Sequence, residues 1–187
     1  MNSLKQQTDE QLMVLIQVHN HAAFSELVMR HSDRFYALSY RTLFHQSDAE
    51  DIVQESFLKL WDKPAMWQPR RGAQFKTWFY RIIVNACYDF NKKKSSQELS
   101  LVDHDYEESA AEDVVDQQLS DVEAALKNLP ERQRTALNLC FYEALSNKEA
   151  AGIMGIRLKA LQSLIMRAKA SLKTHLNISE ESDHEDR

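Results

Sequence analysis

Glycine and proline are both scarce, with three of each in the chain (Gly72, Gly152, Gly155; Pro64, Pro69, Pro130). Parallel-sheet folds and phosphate-cradling loops depend on glycine where the backbone turns tightly or approaches a ligand. The shortage argues against both and for long helices, so an all-α fold is expected. Long apolar runs are missing as well. Hydrophobic residues make up 43% of the chain, enough for a core, yet no run approaches the ~20 residues a bilayer span requires. Residues 1–10 are polar and carry acids, unlike a signal peptide, which makes a cytoplasmic location the expectation. Cysteine is limited to Cys87 and Cys140, expected there as reduced thiols. Phosphate-loop, zinc-protease and nucleophile-elbow signatures are absent, so no catalytic residue, metal or cofactor is expected.

The net charge of −5 argues against indiscriminate nucleic-acid binding, but charge is unevenly spread. Residues 70–94 hold seven bases (Arg70, Arg71, Lys76, Arg81, Lys92, Lys93, Lys94) and one acid, Asp89. Residues 157–173 hold five bases (Arg157, Lys159, Arg167, Lys169, Lys173) and no acid. Between them, residues 98–123 carry ten acids and neither lysine nor arginine. So low a hydrophobic content cannot order a chain by burial, and this stretch is expected to be a flexible linker. The expected division is therefore a helical bundle over 1–97, an acidic linker over 98–119, a second helical domain over 120–178 and an acidic tail over 179–187.

Thr8 and Gln11 have the spacing of a capping box ahead of the apolar run 12–18. A long helix is predicted over 22–44. Ser47 and Glu50 form a second box, predicted to open a helix over 48–61 with Ile52, Val53, Phe57, Leu60 and Trp61 on one stripe. Pro64, Pro69 and Gly72 mark a loop. Helical periodicity then places Phe75, Phe79, Ile82, Ile83, Ala86 and Phe90 on the core face of a helix over 75–92. In the second domain Pro130 opens a helix over 131–142. Ser146 and Glu149 cap a short helix ending at Gly155, and a longer basic helix follows over 158–176. That order has the pattern of a helix-turn-helix.

The last helix turns Leu158, Leu161, Ile165, Ala168 and Leu172 inward, and Lys159, Ser163, Met166 and Arg167 outward, with Gln162 on a flank. Donors without a carboxylate suit phosphates and base edges. Taken alone, the same helix fits an ordinary amphipathic element with a basic outer face. Asp48, Glu50, Asp51 and Glu55 cluster on another helix. They fit three roles: complementing the helix dipole, holding a metal, for which no histidine at i+3 or i+4 gives support, or docking a basic partner. Residues 61–94 mix aromatics with bases, a composition suited to stacking unpaired DNA bases while cations follow the backbone. Phe75, Phe79 and Trp61 are expected in the core. Trp67, Trp78 and Tyr80 lie in the loop or off the stripe and are expected at the surface.

The segment D-A-E-D-I-V-Q-E-S-F-L-K-L-W (48–61) resembles the polymerase-docking helix of bacterial sigma factors of the extracytoplasmic-function type. F-K-T-W-F-Y-R-I-I-V-N-A-C-Y-D-F (75–90) resembles their minus-ten helix. L-P-E-R-Q-R-T-A-L (129–137) and the helix-turn-helix over 145–170 resemble their C-terminal domain. The resemblance implies core RNA polymerase as partner, bound at the clamp helices of its largest subunit through Asp48, Asp51, Gln54, Glu55 and Leu58. It implies promoter DNA as a second partner. Trp67, Arg70, Arg71, Lys76, Trp78, Tyr80, Arg81 and Asn85 would meet the minus-ten element and assist melting. Arg157, Lys159, Gln162, Ser163 and Arg167 would read the minus-thirty-five element. An anti-sigma partner is implied on the same ground.

The chain departs from the family at Leu164, where an arginine usually follows the serine of the recognition helix. Leu164 stands at the edge of the apolar stripe. A stand-alone helix-turn-helix regulator would account for 145–170 but not for the acidic helix or the aromatic-basic segment.

Overall fold

The computed structural model describes residues 4–68, 74–100 and 117–176, with side chains described over 4–68, 74–96 and 121–176. All of its elements among these residues are helical. Helix α1 (Asp9–Ile16) starts at the expected box. The Thr8 hydroxyl accepts from the Gln11 N–H at 3.3 Å, and the Gln11 side-chain oxygen accepts from the Thr8 N–H at 2.9 Å. Helix α2 (His21–Leu43) is capped by Asn20, whose Oδ1 accepts from the Ala23 N–H at 3.0 Å. It closes at Phe44, a non-glycine residue with φ of 54°.

That left-handed residue decides where the next helix begins. Phe44 ends α2, so His45 becomes the first extended residue and caps α3 (Gln46–Asp62). Its Nδ1 accepts from the Asp48 N–H at 3.4 Å. The expected box at Ser47 and Glu50 does not form, and Glu50 instead accepts from the Gln46 amide at 3.0 Å. A 3-10 turn (Pro64–Met66) follows α3, and α4 runs over Phe75–Ser100, longer than expected. Helices α1 to α4 share one core, with Phe35 at its centre. Ring centroids of Phe79 and Tyr80 lie 4.8 and 5.1 Å from it.

The second bundle comprises α5 (Gln117–Lys127), α6 (Glu131–Leu137), α7 (Asn147–Ile153) and α8 (Leu158–His175). Helix α6 runs on into a π-helical turn (Asn138–Tyr142). The Ser146–Glu149 box forms as expected. Between α7 and α8, Gly155 adopts φ of 63°, a conformation only glycine takes without strain. On α8, Leu161 and Ala168 are fully buried, while Leu164, Ile165 and Leu172 are half-buried. Leu158, expected inward, is 43% exposed because it begins the helix before the helix reaches the core. Cys87 and Cys140 are unpaired, and burial pushes the Cys87 thiol up to about 12.

The two bundles pack together. Leu43, Phe44 and the face of α4 meet α6, α7 and the π-helical turn. The end of α2 leaves carbonyls without helical partners, and the second bundle supplies donors. Arg134 Nη2 donates to the Thr42 carbonyl at 2.8 Å, and Asn138 Nδ2 to the Arg41 carbonyl at 3.2 Å.

At the other end of the first bundle, Asp9 accepts from Arg30 Nη1 at 2.8 Å and meets His31 Nε2 at 2.8 Å. Burial works to raise the Asp9 pKa, but the bonds and charges of His31 and Arg30 outweigh it and hold the pKa below its ordinary value. A depressed folded pKa stabilises above the unfolded value and loses that contribution as pH falls through the folded one. Asp9→Asn is therefore expected to lower stability at neutral pH and to flatten its fall below about pH 4. Unfolding midpoints across an acid series check this. Parallel curves for the two proteins would refute it.

Candidate nucleic-acid interface

Helix α3 presents Asp51, Gln54, Glu55 and Leu58 to solvent at positions i, i+3, i+4 and i+7, one face of the helix. Leu58 is 58% exposed within this acidic stripe. Asp48 is half-buried and held 3.2 Å from His45, and Glu55 pairs with Lys59 at 3.4 Å. The opposite face, Ile52, Val53, Phe57 and Leu60, is buried, so the exposed stripe is free of any packing role.

The aromatic-basic segment departs from expectation at two rings. Trp67 is 2% exposed and Tyr80 is fully buried. The 3-10 turn folds the chain back so that Trp67 enters the core, and its carbonyl accepts from Gln17 Nε2 at 3.3 Å. Tyr80 lies off the predicted stripe, yet its ring meets Phe35 in the first bundle's core at 5.1 Å and its hydroxyl reaches Glu143 of the second bundle. Arg70 and Arg71 lie outside the described residues. Trp78 is half-buried against Phe75 and Phe79, with centroids 6.0 Å away in both cases. Arg81 and Asn85 are exposed. Positions 78, 81 and 85 share one helix face, giving a ring, a cation and an amide in a row. Lys76 lies with its ammonium 5.7 Å from the Tyr80 ring centre, and burial together with the charge of Arg34 lowers its pKa.

On α8, Lys159, Gln162, Ser163, Met166 and Arg167 are all exposed, and Arg157, also exposed, stands at the N-cap position without a side-chain capping bond. Ser163 Oγ donates to the Lys159 carbonyl at 3.0 Å. Leu164 packs on the core instead of joining this polar face. The helix thus offers amide, hydroxyl and cationic donors on one side and an apolar seam on the other.

A polar cluster between the bundles escaped the sequence reading. Glu143, at the end of the π-helical turn, is 4% exposed. Its Oε1 accepts from Arg41 Nη2 at 2.7 Å, and its Oε2 from Arg34 Nε at 2.9 Å and from the Tyr80 hydroxyl. Burial, then the bond to Glu143, pushes the Tyr80 hydroxyl's pKa far up. The only local signal was an acid in the otherwise apolar run C-F-Y-E-A-L. Nothing in a sequence pairs position 143 with position 41.

Residues 27–97 match the family description Sigma-70 region 2, and residues 119–172 match Sigma-70, region 4. The first span holds most of α2 with α3 and α4, the second α5 to α8. The chain is 33% identical over 161 residues to the ECF RNA polymerase sigma factor SigE of Mycolicibacterium smegmatis, covering 82% of this chain and 62% of that protein. It is 31% identical over 147 residues to the RNA polymerase sigma factor SigV of Bacillus subtilis, covering 78% of this chain and 86% of that protein. The chain belongs to the extracytoplasmic-function sigma factors of RNA polymerase. Solved structures share the fold of this sigma factor. CnrH in complex with the cytosolic domain of CnrY superposes with a TM-score of 0.69 at 24% identity, covering 92% of this chain and 99% of that one. The sigma factor RpoE of Bartonella quintana, in complex with the anti-sigma factor NepR, gives 0.68 at 23% identity over 84% of this chain and 98% of that one. A sigma factor binds RNA polymerase and gives it promoter preference in initiation, and the stand-alone regulator is not favoured. Among the described residues of this sigma factor, no group of three His, Cys, Asp or Glu side chains is placed to hold a metal, and no helix is long and apolar enough to cross a membrane.

Proposed function

We propose that this sigma factor docks on the clamp helices of the largest polymerase subunit through α3, acts in the cytoplasm and catalyses nothing itself. The observation that carries the docking assignment is the exposed stripe of Asp51, Gln54, Glu55 and Leu58 inside the span that matches region 2. Acids around a single exposed apolar side chain suit a basic, partly apolar partner. Asp48 stands at the stripe's edge.

In the same proposal Trp78, Arg81 and Asn85, with Lys76, Arg70 and Arg71, meet the minus-ten strand. Trp67 acts there from behind, as packing that sets the angle of α4, while Tyr80 packs its ring on Phe35 and keeps its hydroxyl on Glu143. Arg157, Lys159, Gln162, Ser163 and Arg167 meet the minus-thirty-five element from the major groove. An anti-sigma protein that covers these faces completes the scheme. Its support is that a solved sigma factor of the same fold was captured with an anti-sigma factor.

Reversing charge in Asp51→Arg/Glu55→Arg is expected to weaken core polymerase binding about tenfold or more, the scale of lost interfacial charge pairs. Thermal stability should change little, because both side chains are exposed. Co-purification with core polymerase, beside a melting curve, measures both. A well-folded variant that binds polymerase as the parent does would sink the docking assignment.

A further inference from the structure

The Glu143 carboxylate comes from the second bundle, and all of its donors come from the first. Arg34 and Arg41 stand on α2, and Tyr80 on α4. Lys76 lies beside Tyr80 and completes a cationic rim. The backbone around Glu143 is shaped to deliver it. A π-helical turn, often found at functional positions, follows α6 and ends just before it. Ala144, just after it, is a non-glycine residue held at φ of 52°. Arg41 is further fixed by the Tyr142 ring, 4.5 Å from its guanidinium carbon.

Two anionic oxygens held by guanidinium and hydroxyl donors is also how proteins hold a phosphodiester. We propose that Arg34, Arg41 and Tyr80 form a site for a DNA backbone phosphate, and that Glu143 occupies it in the free chain, holding the two bundles closed. The site adjoins the α4 residues assigned to the minus-ten strand, so the inference rests on that assignment. Closing and DNA binding then compete for the same donors. Opening the chain on polymerase frees the cradle, and a strand phosphate replaces the carboxylate. The exposed polar face of α8 is untouched by this contact, so closure limits strand capture more than it limits the helix-turn-helix.

The test uses the full chain without polymerase. Glu143→Gln keeps the shape of the side chain but removes its charge. Small-angle scattering should show it expanded relative to the parent. It should bind a fluorescent single-stranded minus-ten oligonucleotide about tenfold tighter at matched salt, the change expected from removing a charge-assisted bond from the closed form. Arg34→Met/Arg41→Met should expand as well, yet bind the oligonucleotide no tighter than the parent, because it has lost the site along with the catch. A compact Glu143→Gln chain, an expanded one without tighter binding, or equal gains in both variants would each overturn the proposal. Should Glu143→Gln fail to fold, the double arginine variant carries the test alone: it must expand without a gain in binding, and a compact one overturns the proposal. Arg81→Ala, outside the cradle, separates the two levels of inference. If it leaves oligonucleotide binding unchanged, the assignment of α4 to the strand has failed. If it weakens binding while Glu143→Gln brings no gain, only the cradle has failed.

Discussion

Trp67→Ala is expected to cost about 3–5 kcal/mol of stability, the range for deleting a large aromatic ring from a packed core. The ring is 2% exposed and belongs to the main core of the first bundle. It also pins the stretch that leads from α3 toward α4, so its loss loosens the entry to the minus-ten helix. The Gln17 bond to the Trp67 carbonyl uses the main chain and survives the substitution. Trp67→Phe should cost much less, because the indole N–H finds no protein acceptor and only part of the ring's volume is lost. Urea unfolding of the three proteins decides the matter. A Trp67→Ala chain with parental stability and impaired promoter melting would return this ring to the list of base-stacking residues.

Arg134→Ala should have the second largest effect. The guanidinium is buried and donates to three carbonyls: Lys127 at 2.9 Å, Leu129 at 3.4 Å and Thr42 at 2.8 Å. Its carbon lies 5.1 Å from the centre of the Phe44 ring, and burial lowers its pKa. Removing it bares the two acceptors of the buried bonds, Leu129 and Thr42, at roughly 1–2 kcal/mol each, so a total of about 2–4 kcal/mol is expected. Arg134→Lys should recover little. An ammonium group is a compact charge on a flexible stem and lacks the planar fork that reaches separate carbonyls. Thermal unfolding of both variants provides the measurement. If lysine restores the parental midpoint, charge matters here and the fork does not.

These two side chains mark where local pattern stopped being informative. The Thr8 and Ser146 boxes are settled within four residues, and both appear as the sequence predicts. The box at Ser47 has the same spelling but fails, because Phe44 closes α2 in a left-handed conformation and passes the cap to His45. Helical periodicity correctly separates the faces of α3, where one neighbour, the core, decides burial. On α4 it assigns too narrow a buried face, since Tyr80 packs its ring on Phe35 and reaches Glu143 of the second bundle with its hydroxyl. Trp67 misleads for a related reason: prolines mark a loop but not whether that loop folds inward. On α8 the polar face is legible throughout, and only Leu158 at its start is misplaced. The Glu143 cluster joins residues more than 100 positions apart in sequence, 102 between Arg41 and Glu143, beyond the reach of any spacing rule.

The capping of α2 by Arg134 and Asn138 has a consequence for how such proteins can be recombined. A helix normally finishes its hydrogen bonding with its own chain neighbours or with water. Here its last turn is completed by side chains that a family-wide cut-and-paste would assign to a separate module. Exchanging the C-terminal half for that of a relative therefore swaps the end-piece of an N-terminal helix along with the promoter-reading surface. Hybrids that retain arginine and asparagine at these two places should inherit the parent's heat resistance. Those that lack them should melt early in the half that was never altered.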